Sequence, residues 1–212
     1  MRSLLCLFAL VAGQASAQVC VTGVIETAPA ISVCQQRLTH RLSSTRVHLI
    51  SSTIDLNRYL GQNVRVTGRD VGVTCTVLDV SRVDPPPAEL SWCGSGSTGC
   101  PLKLKVCPAG VGRYWLFLGL RVGFRPLGCG GSAPIDGSLL VQEPIIPLVG
   151  GNLGAGCGEL TLPVPLDNAL VGVSLFFQAA RQDIGPVGPL ELTNLGFVRL
   201  TPLMPPCAPT NC

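Results

Sequence analysis

Charge is scarce in this chain: Asp, Glu, Lys and Arg supply 13% of 212 residues, and the formal net charge is only +3. Phosphate-binding surfaces normally carry a strong basic excess, so this balance argues against a nucleic-acid partner on charge alone. Histidine is scarcer still, with His40 and His48 the only two. A histidine-based hydrolase also needs an acid and an exposed nucleophile, and no G-x-S-x-G elbow surrounds Ser43, Ser44, Ser51 or Ser52. The two histidines are therefore expected on exposed loops beside Arg37, Arg41 and Arg46 rather than as catalytic bases. The scattered Asp and Glu residues show no spacing that marks a glycosidase carboxylate pair. Downstream of residue 17, long apolar runs are missing as well. "YWLFLGL" lies between Arg113 and Arg121, far short of the ~20 residues of a membrane-spanning helix.

What is abundant is glycine (25), proline (18) and cysteine (11). Glycine and proline at this level disfavour long helices and favour turns, so the chain is expected to be all-β. The first seventeen residues read as a secretory leader, with Arg2, an apolar run from Leu4 to Val11, and Ala15-Ser16-Ala17 as a cleavage site. Val19 rather than a small residue precedes Cys20, which argues against lipid attachment. Loss of Cys6 with the leader leaves ten of the eleven cysteines: Cys20, Cys34, Cys75, Cys93, Cys100, Cys107, Cys129, Cys157, Cys207 and Cys212. An even number suits full disulfide pairing in a secreted, extracellular or periplasmic setting. Spacing does not choose among the pairings. Proximity within one segment suggests Cys34 with Cys75 and Cys129 with Cys157, with Cys207 and Cys212 closing the tail or tying it to the second domain.

The sharpest composition shift is "DPPPAELSWCGSGSTGC", a proline triplet followed by a Gly/Ser loop. It divides the chain into a leader (1–17), a first β-domain (18–84), a Pro/Gly/Ser linker (85–100), a second β-domain (101–202) and a Cys/Pro-rich tail (203–212). In the first domain "NVRVTG" alternates Val64 and Val66 with Arg65 and Thr67, as a half-buried strand does. "DLNRYLGQ" is one or two helical turns capped by Asp55 and ended by Gly61. In the second, Leu102, Leu104 and Val106 alternate with Lys103 and Lys105. Leu116 to Phe124 runs apolar at even positions, which reads as one strand with one face inward. With the parities around Leu139, Leu160, Val173, Leu190 and Phe197 the count reaches about seven strands, as in a β-sandwich.

The opening "VTGVI" and "LNRYLGQNVRVTGR" resemble a small OB-fold barrel over residues 19–83. That resemblance implies a face and loops able to take oligonucleotides or oligosaccharides. The "FLGL", "PLGCGG", "LPVP" and "VSLFFQA" segments of the second half resemble a recurrent β-sandwich module of secreted bacterial proteins, to which no catalytic activity is attached.

"GSGSTG", Gly94 to Gly99, satisfies a dinucleotide-binding pattern, but Cys93 and Cys100 bracket it and a strand rather than a helix follows; it reads as a flexible connector. Cys93, Cys100 and Cys107 are spaced too widely for a structural zinc site. No cofactor and no metal are expected. The remaining polar signal is Arg37, Arg41, Arg46, Arg58, Arg65 and Arg69 with Tyr59 among them. Together these features describe an exported, non-enzymatic, disulfide-stabilised β protein with a binding or structural role, whose partners would be cell-surface proteins or glycans. The alternative assigns the arginine cluster to an anionic glycan or nucleic acid. A third places a hydrolase site between the domains.

Overall fold

The computed structural model describes residues 18–28, 38–107, 112–130, 134–153, 156–183, 188–204 and 207. The leader expected over 1–17, Arg37, Cys34 and Cys212 lie outside them. The described chain is all-β, with helical geometry confined to two single 3₁₀ turns.

β1 (Gln18–Thr27), β2 (His40–Leu42), β3 (His48–Ile50), β4 (Asn63–Asp70) and β5 (Val77–Asp84) close into a barrel in the order β1-β2-β3-β5-β4, with β4 returning to β1. All neighbours are antiparallel except β3 and β5, which run parallel. Period-2 alternation sends Val64 and Val66 of β4 into the barrel core with Val21, Ile25, Leu42, Leu49 and Leu78, and leaves Arg65 on the outside. The expected helical turn is a 3₁₀ turn at Leu56–Tyr59; Asp55 caps it by accepting from the Asn57 N–H, and Gly61 follows at φ 76°, a left-handed conformation that glycine adopts without strain.

The second half builds two facing sheets. β6 (Glu89–Cys93), β7 (Pro101–Cys107) and β12 (Gly158–Pro163) form the smaller, in the order β12-β7-β6. The larger has seven strands: β8 (Gly112–Gly119), β9 (Arg121–Gly128), β10 (Ile135–Gln142), β11 (Ile146–Leu153), β13 (Ser174–Asp183), β14 (Leu190–Leu192) and β15 (Gly196–Arg199). Its order is β11-β8-β13-β14-β10-β9, with β15 pairing β13. Leu102, Leu104 and Val106 of β7 are fully buried against Leu116, Phe177 and Val198 of the larger sheet, while Lys103 and Lys105 on the opposite face pair with Glu159 of β12. The sandwich inferred from alternation is thus present.

Three expectations are corrected. The stretch 116–124 is two strands rather than one. β8 lies between β11 and β13, whereas β9, one residue later, pairs with β10. The change of partner falls at Gly119, where a Cβ would come within 2.1 Å of Val141 Cγ1, so only glycine permits the approach. Second, residues 85–100 are not a free connector. Glu89–Cys93 is a strand, and in "GSGSTG" Ser97 and Thr98 are buried, with Thr98 N–H donating to Thr201 O (2.9 Å) and Gly99 N–H to Val164 O (3.0 Å). Tertiary hydrogen bonds override the loop's intrinsic freedom. Third, Cys129 bonds to Cys20 and Cys157 to Cys107, rather than to each other; Cys100 bonds to Cys207. Cys75 and Cys93 are disulfide-bonded too.

The barrel and the larger sheet share a core. Leu140 of β10 is fully buried in the barrel cluster, with Phe124 and Leu195 packed against it. The Cys20–Cys129 bridge crosses the same junction, and Ser138 Oγ donates to Cys20 O at 2.6 Å.

Candidate functional site

The β2–β3 hairpin carries the turn Ser43-Ser44-Thr45-Arg46. Ser44 takes a left-handed conformation, φ 59°, which is uncommon for a residue bearing a Cβ. Thr45 fixes the turn from within: its buried hydroxyl donates to Leu42 O (2.7 Å) and accepts the Val47 N–H (3.1 Å). Ser43 N–H donates to Val24 O at 2.8 Å and ties the hairpin to β1. With Thr45 turned inward, Arg46 stands exposed beside it.

Facing the hairpin is a wall from the larger sheet. Phe176 of β13 and Phe197 of β15 are register partners, and their rings lie 5.1 Å apart at 32°, within the contact range of aromatic pairs. Leu120, Arg121 and Val122 cross at the β8–β9 bend. Hairpin and wall, together with Gln142 and Ser174, line an open cleft of about 590 Å³.

Arg41, Arg46 and Arg121 line this cleft, and among the described residues no carboxylate does. Arg41 donates from Nε to Glu26 Oε1 at 2.5 Å across the β1–β2 register. Among the described residues no carboxylate pairs with Arg46 or Arg121. The cleft therefore combines an apolar floor with two uncommitted guanidinium groups.

The arginines grouped by sequence do not form one surface. Arg41 and Arg46 meet in the cleft. Arg58 is exposed and pairs with Asp55 at 3.4 Å, and Tyr59 packs against the barrel core. Arg65 is committed to Asp136, with side chains only 14% and 7% exposed. Arg69 lines a separate hollow of about 410 Å³ with Ser52, Thr53 and Asp79. Sequence reasoning missed Arg121, Phe176 and Phe197, since nothing local links them to a hairpin at residues 40–50.

The histidines are on strands, not on exposed loops. His40 is buried, its Nδ1 2.8 Å from Thr39 Oγ1 and its Nε2 3.3 Å from Asn57 Oδ1. His48 is partly buried, its Nδ1 without a hydrogen-bond partner among the described residues; burial, and then the charge of Arg41, hold its pKa below 6.5. Cys20, Cys129 and Asp136 bring ligand-type atoms within 4.8 Å of one another, but the sulfurs are bonded together and the carboxylate is taken by Arg65. No helix among the described residues is long and apolar enough to cross a membrane.

The chain matches none of the protein-family models and none of the curated proteins with which it was compared.

Proposed function

We propose that the protein is an exported, non-enzymatic binding protein that recognises an anionic ligand beside the β2–β3 hairpin of an OB-like barrel. The observation that carries this reading is that Arg41 and Arg46, the latter without an ion-pair partner, line one open cleft to which no carboxylate contributes among the described residues. OB-type barrels take oligonucleotides and oligosaccharides on their second and third strands and adjoining loops, and the hairpin is that part of this barrel. Disulfide bonds between distant segments support a working place outside the reducing cytoplasm. Export rests further on the leader read from residues 1–17.

A low net charge favours local recognition of an anionic group over the tracking of a long polyphosphate backbone. Retention on a heparin column tests the reading. The protein should elute later than an uncharged control of its size, with retention falling steeply with salt. Arg41→Gln/Arg46→Gln should abolish the difference, and Arg58→Gln should not. Elution with the control would end the proposal.

A further inference from the structure

We infer that the larger sheet supplies half of this site, and that the complete cleft takes a short saccharide bearing a carboxylate or sulfate. Phe176 and Phe197 would receive the sugar ring, while Arg46 and Arg121 hold its anionic group. The inference rests on the proposed function and adds the ligand's class and the contribution of the second half of the chain.

Three observations carry it. Arg121 lines the cleft from the β8–β9 bend and has no carboxylate partner among the described residues, so the hairpin and the larger sheet each bring one arginine without an ion pair to the same cleft. A planar guanidinium binds carboxylate and sulfate oxygens through paired, charge-assisted hydrogen bonds. Beside them the Phe176–Phe197 pair, tilted by 32°, offers one continuous apolar surface rather than parallel slots for successive flat bases. Single-stranded nucleic acid is held by stacking platforms strung along a cationic groove, and among the described residues this cleft has one aromatic pair.

Size and the remaining polar groups agree. About 590 Å³ lies within the roughly 300–1,000 Å³ of small-ligand sites, which suits one or two sugar rings. Ser44, Ser174 and Gln142 in the lining present neutral donors and acceptors of the kind that meet sugar hydroxyls.

Calorimetry on the purified, disulfide-intact protein would use four probes: a uronic-acid disaccharide, its methyl ester, a sulfated disaccharide and a dinucleotide of equal charge. The uronate or the sulfated sugar should bind at least about tenfold more tightly than the ester, as loss of a charge-assisted contact implies. Arg121→Gln, Phe176→Leu and Phe197→Leu should each weaken that binding several-fold, while Arg69→Gln leaves it unchanged. The Phe→Leu changes keep apolar bulk, and equal melting midpoints separate lost stacking from lost fold. Equal binding of ester and acid, or tighter binding of the dinucleotide, would overturn the inference. So would anionic-sugar binding insensitive to Arg121 and the phenylalanines, although loss through Arg41→Gln/Arg46→Gln would then leave the broader reading standing. Absence of binding to every sugar probe, with the dinucleotide still bound through Arg41 and Arg46, would refute the saccharide assignment alone.

Discussion

Arg65 of the barrel donates through Nη2 to Oδ1 of Asp136 in the larger sheet, joining residues 71 positions apart in the chain. The alternation that buries Val64 and Val66 directs Arg65 outward, where β10 meets it. Asp136 also accepts the Gly130 N–H at 3.3 Å, next to the Cys20–Cys129 bridge. Ion pair, hydrogen bond and disulfide thus converge on one seam between the barrel and the larger sheet.

Breaking one partner of that pair strands the other charge in a buried position. Arg65→Met or Asp136→Asn should lower unfolding stability by about 3–5 kcal/mol, whereas Arg65→Met/Asp136→Asn, which removes both charges and keeps an acceptor for the Gly130 N–H, should recover much of the loss. Urea midpoints of the single and double variants check this. A double variant no better than the singles would show that the pair itself is favourable.

The Cys20–Cys129 bridge spans a sequence separation of 109, and a loop of that size is among the more stabilising to close. Cys20→Ala/Cys129→Ala should cost about 2–5 kcal/mol. The loss should show in the urea midpoint without a change in strand content by circular dichroism.

Gln178 is fully buried on β13 and does the work of missing backbone pairing. β14 contributes only two register pairs to each neighbour; beyond them Gln178 accepts the Leu140 N–H (2.9 Å) and donates to Ser138 O and Thr193 O (3.0 Å each). Gln178→Leu leaves those groups unpaired and should destabilise by about 2–4 kcal/mol. Hydrogen exchange at the Leu140 amide should rise before exchange elsewhere in the sheet.

Acid should weaken the protein through His48. Its pKa is lowered in the folded state by burial and then by Arg41, so the folded form disfavours the proton. The stability this contributes is complete above the unfolded value near 6.5 and is lost as pH falls below it. His48→Gln should flatten the fall in urea midpoint between pH 7.5 and about 5.5. Glu191 has the opposite sign: burial raises its pKa despite Arg181 at 3.1 Å. Its ionisation therefore costs stability as pH rises from 4.5 towards the higher folded-state pKa, and Glu191→Gln should remove that slope in the urea midpoint.

Period-2 patterns were the legible part of the fold. Leu102, Leu104 and Val106, and likewise Val64 and Val66, point to one side because successive residues of any strand must, whatever the strand packs on. Asp55 and Gly61 bounded a turn for equally local reasons. β6 and β11 escaped notice because "ELSWC" sits among prolines and glycines and "IPLVGGNL" breaks its own alternation. Their strand identity comes from partners β7 and β8, not from their own residues.

Composition and alternation by themselves determined that this protein is built of sheets stapled by sulfur, since strand parity and cysteine content are properties of short segments. The tertiary structure alone decided that Cys129 meets Cys20, that Arg65 is spent on Asp136, and that Arg121 and two phenylalanines face Arg46. Those relationships join positions tens to more than a hundred residues apart, and only the path of the chain through space sets the distance between them.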